Sequence, residues 1–591
     1  MTTFAQARWS LNDLLDAPDG PRFKDYQSQL TELLGEFETT RSILTPDMAL
    51  PDFKKVLDTY EAIDVALRHL AGYALLWFTE DTQRQEALSY KARMDQLAAD
   101  VQNRTLFFSL WFKSLDEAQA DRLIAASGDR RYYLDALRHF KPYTLSEAEE
   151  KLINLKDING IDALVQLYDM LTSKFEFTLE VDGERKTMTR DELGAYARHP
   201  SPDVRAAMYQ ELYRVYQDQR LLLAQIYNNR VRDWYNEAIQ LRGYPAPISV
   251  RNLANDIPDT VTETLLAVAR QNNPLFQRYF RLKAKWIGLE KLRRYDVYAP
   301  LLQTEKHFEF GTAVDMVLTS YRDFSPSLAD HARRVLAEAH IDSELRPGKR
   351  GGAFCFSPLP KLAPWVLINF AGRTRDVSTL AHELGHAVHA LMAQEHSVLT
   401  FHSSLPLAET ASTFGEMLLT DRLLKTEMEV AVRRNMLADK IDDAYATIQR
   451  QAYFTIFEQD AHRLVLENRS VDEIAAHYLT NLQEQFGDAV EIADEFRWEW
   501  VSIPHIYHVP FYTYAYSFGQ LFALALYQMY RVEGKAFESK YLKILAYGGA
   551  EAPAKILASV GIDMASPAFW QGGFDFIGGL VDELEALEEV K

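Results

Sequence analysis

Apolar residues recur at three- and four-residue steps along most of this chain, so helices are the dominant expectation. Long helices are predicted between residues 50 and 125, with clear examples in Tyr60–Leu70 and Ser89–Leu97. Pro142 and the run His199-Pro-Ser-Pro-Asp203 mark turns. Between them, alternation over 175–189 around Asp182-Gly183 predicts a small hairpin. Helices resume near Asp203 and continue to the acidic tail Asp582–Glu589, read as a solvated helix end. The exceptions are strand-like pieces at Tyr295–Tyr298 and across Gly351–Phe370. The fold class expected is mainly α, with a small β-sheet, and no internal repeat or low-complexity tract interrupts it.

One helix carries chemistry. From Asp376 to Gln394 the apolar positions Val377, Leu380, Leu384, Val388 and Leu391 form one stripe, and His382, His386 and His389 form another, with Asp376 as the expected N-cap. Within it, His382-Glu383-Leu384-Gly385-His386 is a His-Glu-x-x-His motif. Side chains four apart share a helix face, so two imidazoles can bind one metal ion. Glu383 projects roughly 100° from His382 around the helix, beside the metal rather than on it, and is the expected base for a water whose pKa zinc lowers.

A catalytic zinc usually takes three protein ligands and keeps a fourth position open. His389 is close in sequence but sits a turn further along the same helix, where three ligands in a row close a tetrahedron poorly. Glu409 is the preferred third ligand, because 23 residues after His386 leave room for the chain to turn and for a second helix, Leu405–Leu419, to pass back. Glu416 lies two turns after Glu409 on the same face and is expected to accept a hydrogen bond from a ligand imidazole. Upstream, Gly351-Gly352-Ala353-Phe354-Cys355-Phe356 and Trp365–Phe370 read as strands, and an open edge strand can pair with an extended peptide whatever its sequence. Downstream, His505–Gly519 crowds two histidines and four tyrosines together, more polar aromatic tips than a core requires. His505, Tyr512 and Tyr514 are the preferred donors to a developing oxyanion, with Tyr507, His508 and Tyr516 in reserve.

The stretches Asp376–His389 and Ala408–Glu416 resemble the thimet oligopeptidase superfamily of zinc peptidases, in its oligoendopeptidase F branch. The resemblance extends over most of the chain, and its specific signatures lie between Gly351 and Gln520; the spacing within the His/Tyr run departs from the thimet oligopeptidase pattern. Residue by residue, it implies histidine ligands at His382 and His386, the catalytic glutamate at Glu383, the third ligand at Glu409 and a supporting glutamate at Glu416, with Asp376 near the same helix start. It also implies one Zn2+ per chain, a substrate strand at Gly351–Phe354, and cleavage of internal bonds in short unfolded peptides. A helical N-terminal cap over residues 1–200, a catalytic domain over 201–591 and a deep channel for extended peptides follow from the same resemblance. Two other readings stand beside it: a helical zinc carboxypeptidase, and a noncatalytic helical peptide-binding protein.

Composition narrows the partners. At 591 residues the chain suits two or three packed units, and 47% hydrophobic with 25% charged residues is ordinary for a globular protein. Cys355 is the single cysteine, which excludes an intramolecular disulfide framework and a cysteine-rich zinc site. A net charge of −20 argues against nucleic acid. The densest apolar run, Leu521–Tyr527, is far too short to span a membrane, and Met1–Ser10 lacks the basic start and apolar core of a secretory signal. A cytoplasmic location is expected; monomer and homo-oligomer are equally compatible with the sequence.

Overall fold

Helical periodicity near the N-terminus is realised as α1 (Pro21–Thr39), α2 (Leu50–Glu80) and α3 (Gln85–Ser114) in a computed structural model that describes residues 4–301 and 306–589. Prolines in the first turns of α1 and α2 sit where the missing N–H would have had no partner in the helix. Phe53, Val56, Leu57, Ile63 and Leu70 line the buried side of α2 and share a core with Leu30, Leu34 and Phe37 of α1 and Phe108 and Phe112 of α3. The same core takes in Trp365 and Leu367, so the N-terminal helices and the small sheet are one packing unit.

The chain is 71% helical with only small sheets, as the periodicity predicts. Contacts divide it into two compact units, each discontinuous in sequence. The first comprises residues 1–141, 305–425 and 529–563; the second comprises 142–304, 426–528 and 564–591. These units interleave along the chain, whereas a division at residue 200 is linear.

In the first unit, α4 (Phe310–Phe324) and α5 (Pro326–Ala337) precede β1 (Ile341–Asp342), β2 (Phe354–Phe356) and β3 (Trp365–Leu367). The strand order is β1-β3-β2, with β1 parallel and β2 antiparallel to β3. β3 is wholly buried, as expected of a central strand, while β2 is a half-buried edge in register Phe354↔Leu367 and Phe356↔Trp365. After β3, α6 (Thr374–Met392) packs on α4, α5 and the sheet, and α7 (Thr410–Thr426) follows.

The start of α6 differs from expectation by three residues. Asp376 is the third helical residue, and its Oδ2 accepts hydrogen bonds from the N–H groups of Ala371 (2.8 Å) and Arg373 (3.0 Å). A carboxylate in the first turn satisfies backbone donors as well as an N-cap would, so sequence alone starts the helix about one turn too late.

In the second unit, Phe177–Val181 and Glu184–Met188 form the expected hairpin, and Asp182 (φ 55°) and Gly183 (φ 79°) supply the two left-handed residues of its turn. Its first strand is held by the Thr178 N–H donating to Glu211 on Pro202–Asp218. Tyr295–Tyr298 is not a strand. The strand is Leu292–Arg293, paired with Val490–Glu491, and the chain then turns tightly through Arg294–Asp296. The turn delivers Asp296, fully buried, to Arg205 at 2.8 Å and to Arg293 at 2.6 Å; a buried carboxylate needs such partners, and an extended chain would point it elsewhere. Among the described residues, no helix is long and apolar enough to cross a membrane.

Candidate metal centre

α6 presents His382 and His386 on one face because they are four residues apart. Their Nε2 atoms lie 3.1 Å from each other. Glu409 stands at the junction between a short helical turn, Leu405–Ala408, and α7, so the expected single helix is two pieces meeting at the residue of interest. From there its Oε2 is 3.3 Å from His382 Nε2 and 3.6 Å from His386 Nε2. The structure thus brings together His382, His386 and Glu409, all half-buried, with ligand atoms within 4.8 Å of one another. His389 stays out of this group: it is buried further along α6, bonded to the Ala408 backbone, and burial takes its pKa down to about 4.

The approach of α7 depends on a residue without a side chain. A Cβ at Gly385 would lie 2.5 Å from the Ala411 carbonyl oxygen and 2.6 Å from the Ser412 Cα. Gly385 therefore lets the backbone after Glu409 pack directly on α6 between the two histidines. Ser412 then donates its hydroxyl to Glu409 Oε2 at 2.6 Å, orienting the carboxylate. On the other side, the Tyr321 hydroxyl donates to the carbonyl of Ala381, tying α6 to α4.

Tautomers follow from these contacts. His382 Nδ1 is 2.7 Å from Glu416 Oε1, and His386 bonds the Ala408 backbone. An imidazole that donates from one nitrogen offers a lone pair at the other, so in its neutral form His382 presents the Nε2 lone pair towards Glu409, with His386 Nε2 beside it. Two imidazoles and a carboxylate converging in this way fit a divalent metal of zinc-like preference. Burial disfavours the charged form of His382, but the Glu416 hydrogen bond and the surrounding carboxylates raise its pKa to about 9. Burial, reinforced by Glu409 and Glu416 and opposed by His382, raises Glu383 to about 7. Glu383 is itself buried, and it accepts a hydrogen bond from the Cys355 N–H on the edge strand β2.

The segment before β2 is pinned by a side chain that periodicity does not reveal. Asn369 donates to the carbonyls of Arg350 (3.0 Å) and Gly352 (2.8 Å). Gly352, at φ 77°, occupies the left-handed region that a side chain would strain. Gly351, Gly352, Ala353 and Phe354 thus lead into the edge strand whose next amide meets Glu383.

In the second unit, the His/Tyr run separates into two groups. His505 Nε2 lies 3.3 Å from the Tyr516 hydroxyl, and the Tyr512 ring packs on both, with centroids 6.0 Å and 5.3 Å away. Tyr514 and Tyr507, expected as an oxyanion donor and its reserve, are fully buried instead. The Tyr514 hydroxyl accepts a hydrogen bond from Asn255 at 2.8 Å, and Tyr507 stacks on Tyr168 with centroids 3.9 Å apart. In a helix-forming run, alternate residues face opposite sides, so the tyrosines cannot all share one surface. His508 pairs with Asp169 at 2.7 Å.

A sequence model of peptidase family M3 matches residues 195–576, and one of oligopeptidase F matches residues 111–177. The oligoendopeptidase F homologue of Lactococcus lactis subsp. lactis is 25% identical over 96% of this chain and 95% of its own length. The group B oligopeptidase of Streptococcus agalactiae is 27% identical over 87% of this chain and 86% of its own. Among solved structures, oligoendopeptidase F of Enterococcus faecium superposes with a TM-score of 0.71 at 23% identity, covering 96% of this chain and 100% of that one. A Chlamydophila abortus crystal structure gives a TM-score of 0.88 at 25% identity over 98% of both chains.

Proposed function

The chain belongs to peptidase family M3 and is an oligopeptidase of the metallopeptidase class, and from that premise we propose that it uses one zinc ion to cut internal bonds of short, unfolded peptides. His382, His386 and Glu409 would hold the ion. When bound there, zinc supplies a Lewis acid that polarises a peptide carbonyl and makes water easier to deprotonate.

The chain's own residues do the rest. Glu416 orients the His382 ring, and Ser412 orients the Glu409 carboxylate. Glu383 takes the proton from the attacking water and returns it to the leaving amine, a role suited to a buried carboxylate with a pKa raised to about 7. The edge strand β2, with the Gly351–Phe354 segment leading into it, offers backbone groups to an extended peptide, which binds substrates of many sequences. His505 and Tyr512 are the donors proposed for the oxyanion. A cytoplasmic location accords with this reading.

The convergence of three ligand atoms within 4.8 Å, with Glu383 buried beside them, carries the proposal. Its test is a digest of an internally quenched peptide blocked at both ends, followed by mass spectrometry with and without a chelator. Internal cleavage that chelation abolishes and Zn2+ restores supports the reading. Release only from peptides with a free C-terminus favours a carboxypeptidase, and tight binding without hydrolysis favours a peptide-binding protein.

A further inference from the structure

His340, between α5 and β1, is buried to 1% exposure and stacks on Trp365 with centroids 4.0 Å apart. Its Nδ1 lies 2.8 Å from the Ala363 carbonyl oxygen. A carbonyl only accepts, so Nδ1 carries the proton and Nε2 carries the lone pair. That Nε2 has no hydrogen-bond partner, although Asp13 Oδ2 is only 3.2 Å away. A third group completes the arrangement: Glu338, held by Arg334 at 2.7 Å, offers an oxygen to the same point, and the three ligand atoms lie within 4.8 Å of one another. Ala339, between Glu338 and His340, is in the left-handed region at φ 56°, which turns both neighbours towards Asp13.

We propose that Asp13, Glu338 and His340 form a second divalent-cation site, separate from the catalytic centre and suited to a transition ion such as Zn2+ or Mn2+. Two carboxylates and a neutral imidazole bring the charge that a dication cancels, and the Ala363 carbonyl fixes the ring as a supporting acceptor does at metal-bound histidines. The site would clip the N-terminal segment to the sheet. The segment is already held there: the Ser10 N–H donates to the Ala339 carbonyl just before β1 (2.8 Å), the Ser10 carbonyl accepts from the Trp365 indole of β3 (2.8 Å), and the Ala7 carbonyl accepts from the Ser343 N–H just after β1 (2.9 Å). A bound ion would add a further tie at Asp13.

The test uses full-length protein carrying H386A, which cripples the catalytic site, and follows Zn2+ and Mn2+ by isothermal titration, elemental analysis after dialysis, and melting temperature. The expected result is one further equivalent of metal that raises the melting temperature, with affinity lowered about tenfold or more by either D13N or H340Q. Asp13 is half-exposed in a loop, so D13N tests the ligand without disturbing the core. A H386A chain that takes up neither ion overturns the proposal, as does an extra equivalent bound equally well by the D13N and H340Q variants. Neither result bears on whether His382, His386 and Glu409 hold the catalytic ion.

Discussion

Glu416 Oε1 stands 2.7 Å from His382 Nδ1, so a carboxylate on α7 decides which nitrogen of a ring on α6 faces Glu409. Removing it frees the ring to rotate and to change tautomer. E416A is expected to weaken zinc binding by about 10–100-fold, with E416Q losing less because its amide oxygen still accepts. Competition with a chromophoric chelator measures this directly, and equal affinity in wild type and E416A would remove Glu416 from the metal centre.

Glu383 is beside the ligand set and not within it. E383Q keeps the shape of the side chain, so zinc content should match the wild type while kcat on an end-blocked peptide falls by about 10²–10⁴ or more. The comparison is made on protein of verified metal content. Substantial turnover in that preparation would assign the base elsewhere.

Gly385 is the contact between α6 and the backbone that follows Glu409. G385A places a methyl group 2.5 Å from the Ala411 carbonyl oxygen, and neither helix can yield without moving Glu409. The variant should lose about 1–3 kcal/mol of stability and bind zinc more weakly. Calorimetric melting and elemental analysis check both halves; an unchanged melting temperature would mean that the helices separate at little cost.

Glu458 is a fully buried carboxyl in the second unit whose pKa burial raises to about 8, against the opposing pull of the Phe511 N–H, Arg230 and Arg251. His462, 3.8 Å away and pushed down to about 3 by burial, stays neutral above acid pH, and Tyr227 adds a buried hydroxyl. A raised folded-state pKa means that the native protein holds a proton the unfolded chain releases. The stability this contributes is complete below pH 4.5 and is lost as pH rises through about 8. E458Q should therefore flatten the fall in melting temperature between about pH 5 and 8 and melt above the wild type at the upper end. Parallel pH profiles for the two proteins would contradict the buried, proton-holding state.

Tyr512 and Tyr514 are two residues apart and should behave differently. Y512F removes an accessible hydroxyl and is expected to lower kcat about a hundredfold with little change in KM. Y514F leaves the buried Asn255 amide without its acceptor and should cost about 1–3 kcal/mol of stability at near-normal kcat. Steady-state kinetics paired with melting curves separates the two outcomes, and normal turnover in Y512F would reduce the cluster with His505 and Tyr516 to packing.

The residues that sequence alone reveals are those whose relation is local. Asp182-Gly183 defines its hairpin because two adjacent residues must both adopt positive φ, and His382 and His386 define a metal-binding face because four residues make about one helical turn. The orienting groups were not legible in the same way. Ser412, Asn369 and the Cys355 amide carry no motif, and Asp376 looks like an N-cap until the two backbone donors before it are placed. The tyrosines of the 505–516 run look equivalent in sequence, yet burial divides Tyr507 and Tyr514 from Tyr512 and Tyr516.

By itself, then, the sequence determined a mainly helical chain and a helix edge bearing two imidazoles with a glutamate beside them, since periodicity is enough to specify which side chains share a face. Tertiary structure decided that Glu409 and not His389 meets those imidazoles, that Cys355 on an edge strand bonds Glu383, and that Asp13 and His340 converge some three hundred residues apart. Those pairings depend on how closely separate elements pack, and that closeness is set at positions such as Gly385, where what matters is the space left by an absent side chain.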